Sequence, residues 1–266
     1  MATFNGEANV REQICSVLAQ LGATDELVIV DDASTDATVR TIRDLEDPRI
    51  RLIELPRNLG HVSAFERALT EASGECLMLC DQDDLWPPGR AALLAEALQD
   101  SHFVAGNVEP FGARVAPLDH PLRAPMSRWR WRNILGLALG RRAYFGCAMG
   151  LRRDLLARLL PFPRHLEAHD HWLAVVANLA GPFPHVEQPV VRRRVHASNL
   201  TPRRRRGVWT IARSRLRFVR MVAVAVLRTA STPVATHRER SNPDSGSIRR
   251  GFRRCRAAMR QRRSEQ

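Results

Sequence analysis

The sequence lacks several features that define whole classes of protein. Lysine is absent, so all 41 basic side chains are arginine. The five cysteines are odd in number and form no Cys-X-X-Cys pair, which disfavours a disulfide framework or a structural zinc site and predicts reduced thiols. No apolar run reaches about 18 residues and no signal peptide opens the chain, so we expect a cytoplasmic protein without a spanning helix.

Acidic and basic residues are distributed unevenly along the chain. From Arg192 onward the sequence holds 22 arginines against three acids, Glu239, Asp244 and Glu265. The overall charge of +13 therefore arises in this final segment, and the residues before it are acidic in balance. Such a basic arm predicts an anionic partner, either a membrane surface, a nucleic acid or an acidic glycan.

The first hundred residues alternate between apolar runs and amphipathic segments. Runs at 26–31, 50–55 and 75–80 predict buried strands, and the residues between them have helical periodicity. The predicted helices are 7–20, 36–45, 62–72 and 89–98. This alternation is typical of a parallel sheet with right-handed crossovers. The opening residues supply only the end of a strand, so the first strand is expected to be truncated.

Beyond residue 100 the pattern is looser. We predict a loop with short strands at 107–132 and a final extended stretch at 186–195. The other predicted elements are a strand at 144–151 and helices at 154–160 and 170–179. Residues 1–200 are thus predicted to form one α/β domain of two halves, 1–100 and 101–200. A basic amphipathic helix follows at 201–230, and an Arg-rich, poorly ordered tail at 231–266.

Two acidic clusters follow predicted strands. Asp31 and Asp32 end the first run, and Asp81, Asp83 and Asp84 end the third. Because ligands bind at the carboxyl ends of parallel strands, both clusters lie where a site is expected. Crowded carboxylates repel each other unless a cation joins them, which favours a divalent metal with a phosphorylated ligand. Asp31 and Asp32 could instead be solvated residues of a turn.

A third acidic position begins a predicted helix. Asp170 lies between His169 and His171, and Trp172 comes next. A carboxylate partly buried by the tryptophan could act as a general base. A plain helix cap is the alternative interpretation.

The basic arm contains a second amphipathic pattern. Val219, Val222 and Val226 can share one stripe of a helix, while Arg213 and Arg220 lie on another. With four preceding arginines, this pattern is typical of a helix in the membrane interface. A C-terminal helix packed on the domain is the alternative.

Taken together, these motifs resemble family 2 glycosyltransferases, and most closely the rhamnosyltransferase-like bacterial branch. The segments that carry the resemblance include VIVDDASTD, RNLGHVSAFERAL, SGECLMLCDQDDLW, FGCAMGLRRDLL, HDHWLAVVANLAG and RRVHASN. They occur in order between Met1 and Asn199. The resemblance implies a GT-A nucleotide-diphospho-sugar transferase fold, which is a Rossmann-like, mostly parallel sheet flanked by helices.

The resemblance also implies roles for individual residues. Asp170 corresponds to the catalytic base, and Asp83 to the metal ligand of a DxD-type motif, with His196 as a further metal ligand. The implied nucleotide-sugar-binding residues are Thr3, Asn5, Glu7, Asp31, Asp32, Asn58, Gly60 and Asp81. The implied acceptor side consists of Gly146, Cys147, His169 and Trp172.

The implied reaction is inverting transfer of a sugar from a nucleotide-diphosphate donor to a hydroxyl of a glycan or lipid-linked glycan. Mg²⁺ or Mn²⁺ suits the oxygen ligands, and a histidine ligand would favour Mn²⁺. The basic tail is expected to hold the enzyme on the inner face of an anionic membrane, and nucleic acid is not an expected partner.

Two other functions share parts of this pattern. A sugar nucleotidyltransferase has a similar layout, but it usually opens with a Gly-rich, basic phosphate loop that is missing here. An inactive domain with an RNA- or membrane-binding arm would explain the tail. It would leave the three acidic motifs unexplained, and only Trp209 and Phe218 could interleave with arginine for RNA.

Overall fold

The computed structural model describes residues 1–112, 120–164, 166–195 and 208–232. Its first sheet is parallel and has the strand order β1-β2-β3. These strands are β1 (Ala2–Thr3), β2 (Leu27–Asp31) and β3 (Ile50–Glu54), and the intervening helices are α1 (Val10–Leu18), α2 (Thr38–Arg43) and α3 (His61–Glu71). All five residues of β2 are buried, as a continuous Val/Ile-rich strand requires. The first strand is short, as the opening residues predict, and β1 pairs only Ala2 and Thr3 with β2.

The second sheet has the order β4-β6-β5-β7. Its strands are β4 (Cys76–Met78), β5 (Phe103–Gly112), β6 (Met149–Arg152) and β7 (His185–Val195). The β6 strand runs antiparallel to both neighbours, whereas β5 and β7 are parallel. Three of the five strand pairings in the described ranges are therefore parallel.

Five further α-helices lie in the described ranges. They are α4 (Arg90–Ala97), α5 (Arg130–Ala138), α6 (Leu156–Leu159), α7 (His169–Ala180) and α8 (Val208–Ser231). The α7 helix is the centre of the largest apolar core, because every residue from Trp172 to Leu179 is buried. An all-round apolar helix is stable only inside a protein, and α5, α6 and α8 supply its cover.

The α8 helix packs on the domain by one face. Met221 and Ala225 belong to the same core as α7, and the Arg228 guanidinium lies 5.4 Å from the centre of the Trp172 ring. The packed-helix interpretation is therefore correct for this face, while the opposite face exposes Val219 and Leu227. Within the described ranges, no helix combines the length and apolarity needed to cross a bilayer.

Two sequence-based predictions are correct only in part. The segment 107–132, expected to be a loop with short strands, contains the outer half of β5, but also a 3-10 turn at Ala124–Arg128 and the start of α5. The strand expected at 144–151 begins only at Met149, as β6, after a 3-10 turn at Gly146–Ala148. Pro110 argued against a long strand β5, because proline normally interrupts strands. The arginines and tryptophan at the start of α5 made its apolar stripe difficult to recognise.

Some predictions fall outside the described residues. His196, the arginine run at 203–206 and the tail at 233–266 belong to this group, so the predicted division of the chain beyond residue 200 stays a prediction.

Candidate active site

The side chain of Gln82 joins the loop after β1 to the acidic segment after β4. Its Oε1 accepts a hydrogen bond from the Phe4 N–H (2.8 Å), and its Nε2 donates to the Phe4 carbonyl (3.0 Å). A Cβ on Gly6 would lie 2.4 Å from Gln82 Oε1, so glycine is required for this close approach. The loop after β1 is thereby fixed against the acidic segment after β4.

Asp31 is fully engaged by the protein. Its Oδ1 accepts from the Thr3 hydroxyl (2.9 Å) and the Ser34 hydroxyl (2.6 Å), and its Oδ2 accepts from the Ser34 N–H (2.8 Å). The residue is 1% exposed. Asp31 therefore shapes the turn after β2, and its oxygens are directed at the protein.

Asp32 holds the loop after β3. Its two carboxylate oxygens accept from the N–H groups of Leu59 (2.7 Å) and Gly60 (2.8 Å). Gly60 has a φ of +87°, a conformation that glycine adopts without strain. Asn58 is exposed beside it, and its Oδ1 also accepts from the Gly60 N–H (3.2 Å).

Asn5 and Glu7 complete this loop cluster. The Asn5 N–H donates to the Ser34 hydroxyl (2.9 Å), and Asn5 Oδ1 accepts from the Thr35 N–H (2.8 Å). Glu7 Oε2 accepts from the Ala37 N–H (2.8 Å). The structure thus brings the predicted nucleotide-binding residues of the first three strand ends together as one hydrogen-bonded unit.

The second acidic cluster converges on Asp81 and Asp84. Ligand atoms of Asp81, Asp84 and Cys147 all lie within 4.8 Å of one another. Asp84 Oδ1 accepts from the Arg194 N–H at the end of β7 (3.0 Å), whereas its buried Oδ2 meets no donor in the described part of the chain. The pairing of Leu85 with Arg192 brings β7 to this position.

Burial and like charges perturb both carboxylates. Burial, together with the charges of Asp84 and Asp83, raises the pKa of Asp81 to about 7. Burial and Asp83 raise the pKa of Asp84 to about 6. The Arg193 cation opposes both shifts. These carboxylates lack enough positive charge from the protein, so the site favours a cation.

Arg90 lies beneath the cluster and was missed by sequence reasoning. Its Nη2 donates to the carbonyls of Leu79 (2.9 Å) and Cys147 (2.6 Å), and the guanidinium lies 4.2 Å from the centre of the Trp86 ring. Burial lowers the pKa of Arg90 to about 10. The arginine therefore ties the end of β4 to the turn before β6 and remains charged at neutral pH.

The carboxylates of Asp81 and Asp84 fit a hard divalent ion such as Mg²⁺ or Mn²⁺, and Asp84 Oδ2 is the oxygen without a protein donor. Burial raises the pKa of the Cys147 thiol well above its ordinary value, so this thiol stays protonated and does not suit such an ion. The compact group contains Asp84 in place of the predicted Asp83, whose carbonyl accepts from Arg194 Nε (3.1 Å). The metal-ligand role of Asp83 stays a prediction.

Asp170 faces the same cluster. It is the second residue of α7 and not its cap, which is Ala168, so the plain-cap interpretation is wrong. Its half-buried carboxylate accepts from the His171 N–H (2.7 Å), and its charge is among the causes that raise the pKa of Asp81. Asp170 is therefore electrostatically coupled to the acidic cluster.

The remaining residues of the predicted acceptor side are mostly interior. His169 stacks on Phe65 with 4.0 Å between ring centres, and burial lowers its pKa to about 4. A Cβ on Gly146 would lie 2.4 Å from His169 Nε2, so these two residues touch. Trp172 is fully buried and donates to the Leu159 carbonyl (3.0 Å), and Cys147 is 2% exposed. Their burial contradicts direct acceptor contact through the side chains of Trp172 and Cys147.

The family of the chain follows from sequence comparison. Residues 1–160 match the model of Glycosyl transferase family 2. Because the match covers more than half of the chain, the chain belongs to this family.

Individual relatives are matched over shorter segments. The chain is 38% identical over 96 residues to the succinoglycan biosynthesis protein ExoO of Rhizobium meliloti, which covers 36% of this chain and 28% of that protein. It is 32% identical over 111 residues to the UDP-Glc:alpha-D-GlcNAc-diphosphoundecaprenol beta-1,3-glucosyltransferase WfgD of Escherichia coli, with coverages of 41% and 44%. The chain thus spans less than half the length of both relatives.

Solved structures confirm the GT-A fold. TarS of S. aureus in complex with UDP superposes with a TM-score of 0.63 at 22% identity, covering 85% of this chain and 64% of that one. The mannosyltransferase PcManGT of Pyrobaculum calidifontis, in complex with GDP-Man and Mn²⁺, gives a TM-score of 0.54 at 20% identity, with coverages of 87% and 72%.

Proposed function

We propose that this protein transfers a hexose or deoxyhexose, with inversion, from a nucleotide-diphosphate donor to a hydroxyl acceptor. The observation that carries the proposal is the convergence on Asp81 of the charges of Asp83, Asp84, Arg193 and Asp170. They come from three separate parts of the chain. Together they supply an acidic metal site, a cation and a candidate base at one end of the strands.

In the proposed reaction, the oxygen of the acceptor hydroxyl bonds to the anomeric carbon while Asp170 takes the hydroxyl proton. The bond from that carbon to the diphosphate breaks at the same time, and the nucleoside diphosphate departs. A divalent ion at Asp81 and Asp84, or at Asp83, would supply neutralisation of the diphosphate charge. The loops around Asn5 and Asp32 would position the nucleotide.

The proposed biological setting is assembly of a cell-surface polysaccharide or glycolipid. ExoO is named for succinoglycan biosynthesis, and the name of WfgD describes a diphosphoundecaprenol-linked acceptor. We propose that this protein also uses a lipid-linked glycan acceptor. We propose that its nucleotide-sugar donor is of the kind used by the rhamnosyltransferase-like branch. A lipid-linked acceptor would place the enzyme at the cytoplasmic face of a membrane, where the basic tail attracts anionic lipids.

The primary test is nucleoside diphosphate release from a panel of UDP-, GDP- and dTDP-sugars, with Mn²⁺, with Mg²⁺ or with a chelator. We expect release with one donor class, accelerated by a lipid-linked glycan acceptor and abolished by chelation. Pyrophosphate exchange without sugar transfer would instead indicate a nucleotidyltransferase.

Asp170→Asn tests the proposed base. We expect turnover to fall by at least about 10²-fold with donor affinity retained, since an amide cannot accept the proton. Asp44→Asn, an exposed carboxylate change at the end of α2, is the matched control. If Asp170→Asn lost donor affinity and kept its rate, the residue would belong to the donor pocket.

A second pair of variants separates the two candidate metal ligands. Asp83→Asn and Asp84→Asn are compared by Mn²⁺ titration of turnover. The variant that lacks a ligand should need a higher Mn²⁺ concentration. An unchanged titration in both variants would contradict a metal site at this cluster.

A further inference from the structure

The helices α5 and α8 both expose large apolar side chains. On α5, Trp131 is 61% and Leu135 59% exposed, and on α8, Val219 is 63% and Leu227 70% exposed. Trp131 and Leu135 are four residues apart, as is the exposed Leu139, so these side chains lie on one helix face. Concentrated apolar exposure of this kind marks an interaction site.

A groove of about 290 Å³ runs between the two helices. Its lining is entirely apolar and consists of Trp131, Ile134, Leu135, Ala138, Phe218, Val219 and Val222. We call the surface formed by these seven residues the α5–α8 face. Ile134 is buried and Phe218 is half-buried, so the base of the groove is continuous with the core around α7.

The charged residues of α5 and α8 themselves have one sign. The sequences of α5 and α8 contain no acidic residue. Arg132 on α5 and Arg213, Arg215 and Arg220 on α8 are exposed. An acid that contacts α8, Glu167, is ion-paired with Arg217. An apolar centre whose two helices carry only arginine charges complements a surface that is itself apolar inside and anionic outside.

We propose that the α5–α8 face docks in the headgroup region of an anionic lipid bilayer, with an acyl chain in the groove. Helices with an apolar face, arginine on the polar side and tryptophan at the boundary lie in this region of membranes. The proposal rests on the proposed membrane location and goes beyond it. It assigns attachment to a surface of the folded domain, including α5, in addition to the basic tail.

Charge complementarity favours a bilayer over a second copy of the chain. A two-fold dimer would place the α5–α8 face against itself and bring the arginines of both copies together. Anionic lipids supply the opposite charge to the same arginines. A nucleic acid would also satisfy the arginines, but its phosphates cannot fill an apolar groove.

Co-sedimentation of the full chain with vesicles tests the proposal. Phosphatidylcholine vesicles are compared with vesicles that also contain phosphatidylglycerol. We expect binding to the anionic vesicles, and a fall of roughly tenfold in the partition coefficient for Leu135→Glu and for Val219→Glu. Ala92→Glu, which adds the same charge at an exposed position of α4, should bind like the wild type. Thermal melting checks that the variants are folded.

Depth-dependent quenching locates the inserted side chain. Vesicles with brominated acyl chains should quench the tryptophan emission of the wild type, and should quench Trp131→Phe less. Equal quenching in both proteins, together with unchanged binding of Leu135→Glu, would overturn the proposal. Self-association broken by Leu135→Glu, or RNA binding broken by it, with no vesicle binding, would also overturn it and assign the face to that partner.

The outcomes for docking and for transfer are separable. Leu135→Glu should retain nucleoside diphosphate release with a water-soluble acceptor, because Leu135 is exposed on α5 and is not among the residues assigned to the active site. Vesicle binding without any release would leave docking intact and contradict the transferase. Nucleoside diphosphate release without vesicle binding would support the transferase and contradict docking on the membrane.

Discussion

Among single residues, Asp84 has the clearest pH signature. Its pKa is about 6 in the folded protein, above the ordinary 3.8, and that of Asp81 is about 7. The folded state therefore retains protons that the unfolded state has lost, so these two groups make the metal-free protein less stable as the pH rises from about 4 to 7. His169 acts oppositely, because its lowered pKa of about 4 removes stability as the pH falls below about 6.5.

We predict that Asp84→Asn reduces the loss of folding stability that occurs as the pH rises from about 4 to 7. Without added metal, the variant should gain stability relative to the wild type as the pH rises from about 4 to 7, by on the order of 1 kcal/mol per pKa unit removed. Urea unfolding at several pH values measures this difference, with Asp44→Asn as the control. A constant difference at all pH values would contradict the assigned pKa shift.

Arg90 supports the same cluster from below. Arg90→Met leaves the carbonyls of Leu79 and Cys147 without their donor and removes the cation beside the acids. We expect a loss of at least about 2 kcal/mol in the free energy of unfolding, because buried polar groups lose their partner. Arg90→Lys should recover part of it.

The comparison for Arg90 is Arg40→Met, since Arg40 is exposed on α2. It should change stability by less than about 0.5 kcal/mol. Equal effects of the two methionine variants in urea would show that the buried contacts of Arg90 contribute nothing.

Residues of this kind define the limit of sequence reasoning. The acidic runs and the base candidate could be predicted because each is a local pattern after a strand or at a helix start. Gln82 and Arg90 could not, because their partners Phe4 and Cys147 are 78 and 57 positions away in sequence. Asp84 was undervalued for the same reason, since only the end of β7 and Cys147 show which carboxylate is buried.

At the scale of elements, the link between the loop after β1 and the acidic segment can be cut by one substitution. Gln82→Ala removes both hydrogen bonds to Phe4 and should cost about 1 kcal/mol of stability. The larger effect should be a weaker donor affinity, measured as a raised KM for the nucleotide sugar with a smaller change in kcat. Gln99→Ala, at an exposed position after α4, is the control. A lower kcat with an unchanged KM would contradict this role.

Element prediction succeeded where the hydrophobic period was clean. The strands β2 and β3 and the helices α1 and α2 lie within the predicted segments, and α3 begins one residue earlier than predicted. Their hydrophobic patterns are regular: β2 is a continuous buried run, and the helices bury one face. The prediction was incomplete for β5, where six buried residues are followed by a half containing Pro110 and Gly112, and it failed for α5, where Arg130, Trp131 and Arg132 precede Asn133. In both, tertiary packing against β7 or α7 outweighs local propensity.

For the whole molecule, the charged tail and α8 can be separated by where the chain is cut. Ten arginines follow Thr232. A chain ending at Thr232 keeps Met221 and Ala225 in the core, so we expect normal melting and weaker vesicle binding that depends less on salt. A chain ending at residue 199 removes that cover from α7 and should melt lower or aggregate. Salt-dependent binding that is unchanged after the cut at Thr232 would contradict a role for the tail.

The central helix α7 connects the two surfaces on which these proposals depend. It carries Asp170 near its start, is buried from Trp172 to Leu179, and contacts both α5 and α8. Twelve helical residues span about 18 Å and do not bend easily under such packing. Once the α5–α8 face rests on a bilayer, the height of the base above the lipid is set by the protein interior. If both proposals hold, the fixed height would favour acceptors whose reactive hydroxyl lies at the same distance from the membrane surface.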